Sequence, residues 1–242
     1  MNRSMIRVWA GAALLMLTVA ACGGAQSSSG TGGTVPRATT STPAANGVAA
    51  MRADQATRAA LAALNSVRSV RMAGTFPANG RSERFDMRFA GNSAAIGNFT
   101  LNGAVVQTVT WDSVMYLKAD QDGWAAMGNS PSTAGMMAGR WFKVGAAQAP
   151  GTTPLSLAFF TAELAAHATM TRATLTTGTL SGRQVAVIAY PDGSKLYVAA
   201  TGPEYPLRFD VTGDTGGRRD FSGYGAALHI VAPSGATDIS HG

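Results

Sequence analysis

Cys22 is the only cysteine in the 242-residue chain, and its thiol is the one sulfur nucleophile available for chemistry. The other reactive types are sparse. Three histidines, His167, His229 and His241, stand far apart and form neither an HExxH pattern nor a closely spaced ligand set, so no metal centre or cofactor site is implied. A serine hydrolase would show a G-x-S-x-G elbow. Gly178-Thr179-Leu180-Ser181-Gly182 has the wrong spacing and reads as a turn between strands. Lys118, Lys143 and Lys195 follow Met115, Arg140 and Asp192 by three positions, so S-x-x-K is absent too. Asp120-Gln121-Asp122-Gly123 could open a calcium loop, but the closing glutamate is missing and a hairpin turn explains the run better. His229, between Leu228 and Ile230, reads as an outward strand residue, and His167 as a charge complement at a helix end. The chain is not expected to be an enzyme.

What remains is the position of Cys22. It follows an apolar run from Ala10 to Ala21, itself preceded by Arg3 and Arg7 and ending in small residues, which is the order of a removable signal peptide. The run falls short of the about 20 apolar residues needed to span a bilayer. Val19-Ala20-Ala21-Cys22 resembles the bacterial lipobox, in which the cysteine becomes the first mature residue and carries a diacylglycerol thioether, usually with an added acyl chain. Two or more chains anchor stably where one would hold only marginally. The alternative is an ordinary secretory signal with an incidental cysteine. The expected location is the extracytoplasmic face of the cell membrane, held by the lipid.

With no second cysteine, the exported body must stand on its core alone, and about 190 residues suffice for that. Hydrophobic residues make up 46% of the chain and charged ones 13%, a globular composition with a sparsely charged surface. Lys and Arg outnumber Asp and Glu, 19 to 13, and two of them, Arg3 and Arg7, leave with the signal. The rest are scattered, with Arg218-Arg219 the one adjacent pair, so a nucleic-acid surface is not expected, whereas attraction to anionic headgroups stays open. After Cys22 the chain is Gly, Ser, Thr, Ala and Pro up to Gly47, too poor in apolar surface to fold. As a coil, about 25 such residues span roughly 25 to 30 Å. The organisation expected is therefore a signal over residues 1–21, anchor and linker over 22–47, and one domain over 48–242.

The domain opens with an amphipathic helix over 51–67, where Ala53, Ala56, Ala60, Leu61, Leu64 and Val67 share a face. The period then becomes two. Phe85, Met87 and Phe89 point one way and Arg84, Asp86 and Arg88 the other. Similar alternation recurs in Phe99-Leu101, Val105-Val109-Trp111, Leu117, Val185-Val187, Leu196-Val198, Leu207-Phe209-Val211 and Leu228-Ile230, separated by turns such as Asn102-Gly103 and Asp192-Gly193. Short turns between such runs predict an antiparallel meander. Two segments with helical spacing, 131–140 and 154–167, interrupt it and would cover the apolar face of the sheet, giving an α+β architecture.

The order of these pieces resembles a known group. Leu61-Asn65-Val67 in a first helix, Val109-Trp111 with Met115-Tyr116-Leu117-Lys118, then Gly123-Trp124, Gly139-Arg140-Trp141-Phe142-Lys143-Val144 and Tyr205-Pro206-Leu207-Arg208-Phe209 are similar to the actinobacterial LppX/LprG-type lipoproteins of the LolA/LolB-like superfamily. The resemblance covers most of the mature domain and implies a curved antiparallel β-sheet forming an incomplete barrel over helices, with an apolar cavity for acyl chains. The close of the chain, residues 233–242, resembles the group's final strand. The expected lipid-binding residues are Phe85, Met87, Phe89, Val109, Trp111, Leu117, Trp124, Met136, Trp141, Phe159 and Phe160, taken from the inward strand phase and the two covering segments. The partners implied are an acyl lipid, glycolipid or lipoprotein cargo, the membrane through the Cys22 lipid, and an envelope transporter. The competing reading is a non-enzymatic surface interaction or sensing module in which the same residues form a filled core.

Overall fold

The computed structural model describes residues 44–78, 80–112, 114–145, 156–213 and 216–240. Cys22, the signal and nearly all of the linker lie outside them. Ahead of Val48 the described chain is already tied to the body: Ala45 bridges Thr201, and the Asn46 side-chain amide donates to the carbonyls of Ala199 and Gly202 at 2.8 and 2.9 Å.

Helix α1 spans Ala53–Ser66 and buries Ala56, Thr57, Ala60 and Leu64, the face that the apolar spacing marks out. Five strands follow: β1 (Ser69–Ala78), β2 (Arg81–Ala90), β3 (Ala94–Leu101), β4 (Ala104–Trp111) and β5 (Val114–Ala119). Each pairs antiparallel with the next. The β3–β4 connection is a two-residue hairpin in which Asn102 and Gly103 both take positive φ, 51° and 88°, as a tight twisted turn demands. Two short helices come next, α2 (Gln121–Ala126) and α3 (Pro131–Met137), then β6 (Phe142–Val144) and α4 (Leu157–His167). The second meander contains β7 (Thr174–Leu180), β8 (Arg183–Ala189), β9 (Lys195–Ala199), β10 (Pro206–Val211) and β11 (Gly217–Ser222), and β12 (Thr237–Asp238) closes the chain beside β6.

All twelve strands form one open sheet in the order β12-β6-β5-β4-β3-β2-β1-β11-β10-β9-β8-β7. The β1–β11 pairing joins the two meanders, and β12–β6 is the one parallel pair. Helices α1 and α4 pack on each other, as do α2 and α3, and the four helices cover one face of the curved sheet. This is the expected α+β architecture. Gly74 sets the tightest passage: a Cβ there would lie 1.7 Å from the Arg218 carbonyl oxygen on β11, so only glycine lets these central strands close up.

Several expectations are corrected. Asp120 does not open a hairpin; its carboxylate accepts from the Gly123 N–H at 2.8 Å and caps α2. Leu228, His229 and Ile230 are not a strand but part of a coil that crosses the outer face of the sheet, with His229 exposed. In β4 the phase is opposite to that assumed, because Val106 and Thr108 face the helices while Val105, Val109 and Trp111 face outward. In β10, Leu207 and Phe209 do not share a face: an irregularity between Pro206 and Arg208 sends Leu207 to an outer cluster with Val185 and Ala199, and Phe209 to the core.

Candidate functional site

The alternation of β2 delivers Phe85, Met87 and Phe89 to the helix-covered face, where each is 3% exposed or less. Neighbouring strands set Met72, Phe99, Val106, Leu117, Phe142 and Val144 around them. Trp124 reaches the same interior from α2, with its ring edge-on to Phe142 at 5.3 Å. Phe160 reaches it from α4, stacked on Phe85 at 6.0 Å and an interplanar angle of 18°, and Phe159 packs partly buried beside it. Of the eleven residues singled out in the sequence, Phe85, Met87, Phe89, Leu117, Trp124, Phe159 and Phe160 are thus brought together. The other four are not. Val109 and Trp141 join Ala94, Tyr116, Leu228 and Ile230 in a separate outer cluster. Trp111 and Met136 are 43% and 69% exposed. Met136 points away because α3 buries its other side, Ala134 and Met137.

The apolar interior also holds a charged pair that the sequence reading missed. Arg219 on β11 and Glu163 on α4 approach to 3.4 Å, with side chains 2% and 12% exposed, and the guanidinium carbon lies 5.1 Å from the Phe160 ring centre. Burial pushes the Glu163 carboxyl up, against the opposing pull of Arg219 and His167, and burial pulls Arg219 down from a value so high that it stays charged. The missed signal was β11's own alternation: Phe221 faces the core, so Arg219, two positions earlier, must face it as well, while Arg218 faces out.

One turn further along α4, His167 presents Nε2 to the Asp192 carboxylate at 3.0 Å and Nδ1 to the Glu163 carbonyl at 2.8 Å, so its ring does more than complement a helix end. It sits edge-on to Tyr190 and Phe209. Burial raises Asp192, but the Ser194 N–H, the Ser194 hydroxyl and His167 together bring it below the usual carboxylate range. Ser, His and Asp therefore meet here in the wrong order for nucleophilic catalysis. Ser194 is fully buried and donates to Asp192, which stands between it and the imidazole. Tyr190, pushed up by burial, shares a 2.7 Å bond with Thr57 of α1. The arrangement ties α1 and α4 to the second meander. Among the described residues no group of three His, Cys, Asp or Glu side chains could hold a metal. An open groove of about 640 Å³ at the start of α1 contains Arg52, Arg58 and Arg172 and none of the eleven residues; Asp54 pairs with both Arg52 and Arg58.

No protein-family model matches the chain, and no curated protein matches it by sequence. Solved structures do. The crystal structure of LprF from Mycobacterium bovis aligns with a TM-score of 0.51 at 16% identity, over 76% of this chain and 97% of that one. The Mycobacterium tuberculosis lipoprotein LppX aligns at 0.47 and 15% identity over 74% and 98%. A LolA superfamily protein from Nitrosomonas europaea aligns at 0.26 and 11% over 75% and 96%. With its open, helix-covered antiparallel sheet and its likeness to LprF along nearly the whole of that chain, the protein has the LolA-like fold of the LppX/LprG type.

Proposed function

We propose that the chain is an envelope lipoprotein, anchored outside the cytoplasmic membrane through Cys22, that takes acyl chains of a lipid, glycolipid or lipidated molecule into its helix-covered face and carries them. The observation that carries this reading is the apolar surface of Phe85, Met87, Phe89 and Leu117 on the sheet, which helices in two separate pairs cover with Trp124 and Phe160. Each methylene moved from water onto such a surface contributes about 0.8 kcal/mol, so a few carbons give useful affinity without polar recognition. Cargo enters by displacing a cover. The α2–α3 pair suits that role, since helices of six and seven residues have little stability of their own. The buried Trp124 Nε1–H has no hydrogen-bond partner among the described residues, a cost that opening would relieve.

The second reading, an interaction module with a filled core, is favoured by the same residues being 3% exposed or less. Native mass spectrometry of the detergent-free protein, followed by titration with a fluorescent fatty acid, separates the two. A co-purified lipid, saturable micromolar binding and a ligand-dependent rise in Tm support the carrier; none of these leaves the interaction module. The anchor is tested by Cys22→Ala, which should move the protein out of the membrane fraction with loss of acyl label; full retention after a salt wash would refute lipidation.

A further inference from the structure

The outer face of the first meander does not have the polar character expected of a sheet's solvent side. Arg88, Ile96, Val109, Tyr116 and Lys143 align across β2 to β6 in register, and Ala94 and Trp111 lie along the same face. The coil after β11 lays Leu228 and Ile230 over the middle of this surface and buries Val109 and Ala94. It covers only part. Five large apolar side chains in the described body are exposed, and four of them are here: Ile96 at 39%, Val105 at 51%, Trp111 at 43% and, next to Ile230, Val231 at 54%. The charges around them are one-sided. Asp86 and Asp238 are already neutralised by Arg71 at 2.5 Å and Lys143 at 2.8 Å. Arg84, Arg88, Lys118 and Arg140 form no ion pair among the described residues, and Asp112 in the β4–β5 turn is the lone unpaired acid beside them. Lys118 lies 5.9 Å from the Trp141 ring centre, which holds its ammonium at the surface.

We propose that this outer face docks on the anionic surface of a phospholipid bilayer, with Trp111, Ile96 and Val231 entering the headgroup region and Arg84, Arg88 and Lys118 meeting lipid phosphates. An indole with an apolar body and one N–H donor is suited to that boundary, and singly spaced cations without partners are what a negatively charged surface attracts. A partner protein would need matching carboxylates and a shaped apolar contact, whereas a bilayer accepts a shallow, weakly contoured patch. Docking in this way turns the helix cover away from the membrane. The inference does not depend on the carrier reading, since it concerns the opposite face of the sheet.

The test uses the signal-cleaved chain, residues 22–242, which lacks Trp9, on vesicles whose phospholipid carries bromine on the acyl chains, with tryptophan emission as the readout. On phosphatidylglycerol-containing vesicles, emission should be quenched, and Trp111→Phe should remove at least roughly half of that quenching, because the indole at the interface is the one brought to the acyl boundary. The Trp111 contribution should fall roughly threefold or more on pure phosphatidylcholine, at high salt, or in the Arg88→Glu, Lys118→Glu double variant. Neither cation forms an ion pair among the described residues, Arg88 is exposed and Lys118 half-buried over the Trp141 ring, and near-UV circular dichroism checks that the variant remains folded. Full quenching retained by Trp111→Phe overturns the docking face, and its loss in Trp124→Phe would then show that lipid reaches the interior from the helix side, which supports the carrier. Equal Trp111 quenching on neutral and anionic vesicles overturns it as well, and no quenching at all leaves the face to a protein partner.

Discussion

Replacing Phe160 by alanine puts the packing of the interior to a direct test. The ring is 3% exposed, stacks on Phe85 at 6.0 Å, meets Phe159 edge-on at 5.9 Å and lies under the Arg219 guanidinium at 5.1 Å. Truncating a packed phenylalanine costs about 3 to 5 kcal/mol. Here the loss should fall near 4 kcal/mol, because pairs of aromatic rings contribute about 0.5 to 1.5 kcal/mol beyond area. Met136, in the other covering segment, is 69% exposed, so Met136→Ala should change stability by no more than about 0.5 kcal/mol. Urea unfolding followed by tryptophan emission should show a lower midpoint at unchanged slope for Phe160→Ala, with Tm down by roughly 10 °C. A loss below about 1 kcal/mol would refute this reasoning: it would mean open space beside the ring, the condition of a cavity wall rather than a packed core. Equal losses in the two variants would show that Met136 is covered.

The strand phases make a second prediction. Val106→Asp buries a carboxylate beside Phe99 and Ala119 and should unfold the domain or cost more than about 3 kcal/mol, while Val105→Asp should be nearly silent in the same melting experiment. Gly74→Ala must force β1 from β11 and should lose about 2 kcal/mol or more, whereas Gly135→Ala, in an exposed turn of α3 with no atom closer than 3.9 Å, should gain about 0.5 to 1 kcal/mol. Burial raises the Glu163 pKa in the folded state, so the folded chain holds that proton longer than the unfolded one. Its contribution to stability must therefore fall as pH rises from the ordinary glutamate range to the raised folded value. Glu163→Gln should flatten that limb of a Tm-against-pH curve, and an unchanged slope would count against it. Amides of α2 and α3 should exchange with deuterium faster than those of α1 and α4; uniform protection over the four helices would contradict the unequal anchoring described here.

The parts legible in the sequence were those whose local signal and tertiary role agree. In β2, charged residues alternate strictly with Phe85, Met87 and Phe89, so one face had to be wet and the phase could be read off. In β4 the outer face carries Val105, Val109 and Trp111 beside one polar residue, Gln107, because it is partly covered by Leu228 and Ile230 from far along the chain. Gln107 alone marks that face as the outer one, and the larger apolar side chains around it outweigh the signal. The pattern around Asp120 failed for a different reason: an aspartate three residues before a glycine is both a turn signal and a helix cap, and the choice depends on where Trp124 finds its partner Phe142. Leu207 was misplaced by one irregular residue in β10, which no periodicity count detects. Arg219 was noted only as half of the one adjacent basic pair, because its burial depends on Glu163, contributed by a helix more than fifty residues away.

These particulars divide the cover of the sheet into two kinds. Helix α4 is pinned by Glu163 to Arg219 and by His167 to Asp192, contacts four residues apart on one face, and α1 shares that side through the Thr57–Tyr190 bond. Pulling α4 off would strand a buried guanidinium, and breaking such a pair by removing one partner costs about 3 to 5 kcal/mol. Helices α2 and α3 have no such tie among the described residues. They are held by their caps at Asp120 and Ser130 and by apolar contacts that include Trp124 on Phe142, and Trp124 brings with it an N–H that has no partner among the described residues. Apolar contact is non-directional and can be remade around another occupant, whereas the ion pairs require one geometry. The side of the fold built on exchangeable contacts is therefore α2–α3 over β3 to β5, and the rigid side is α1–α4 over β8 to β11. Acyl cargo entering such a body would replace the contacts of Trp124, Leu117 and Phe142 first and leave the ion pairs intact.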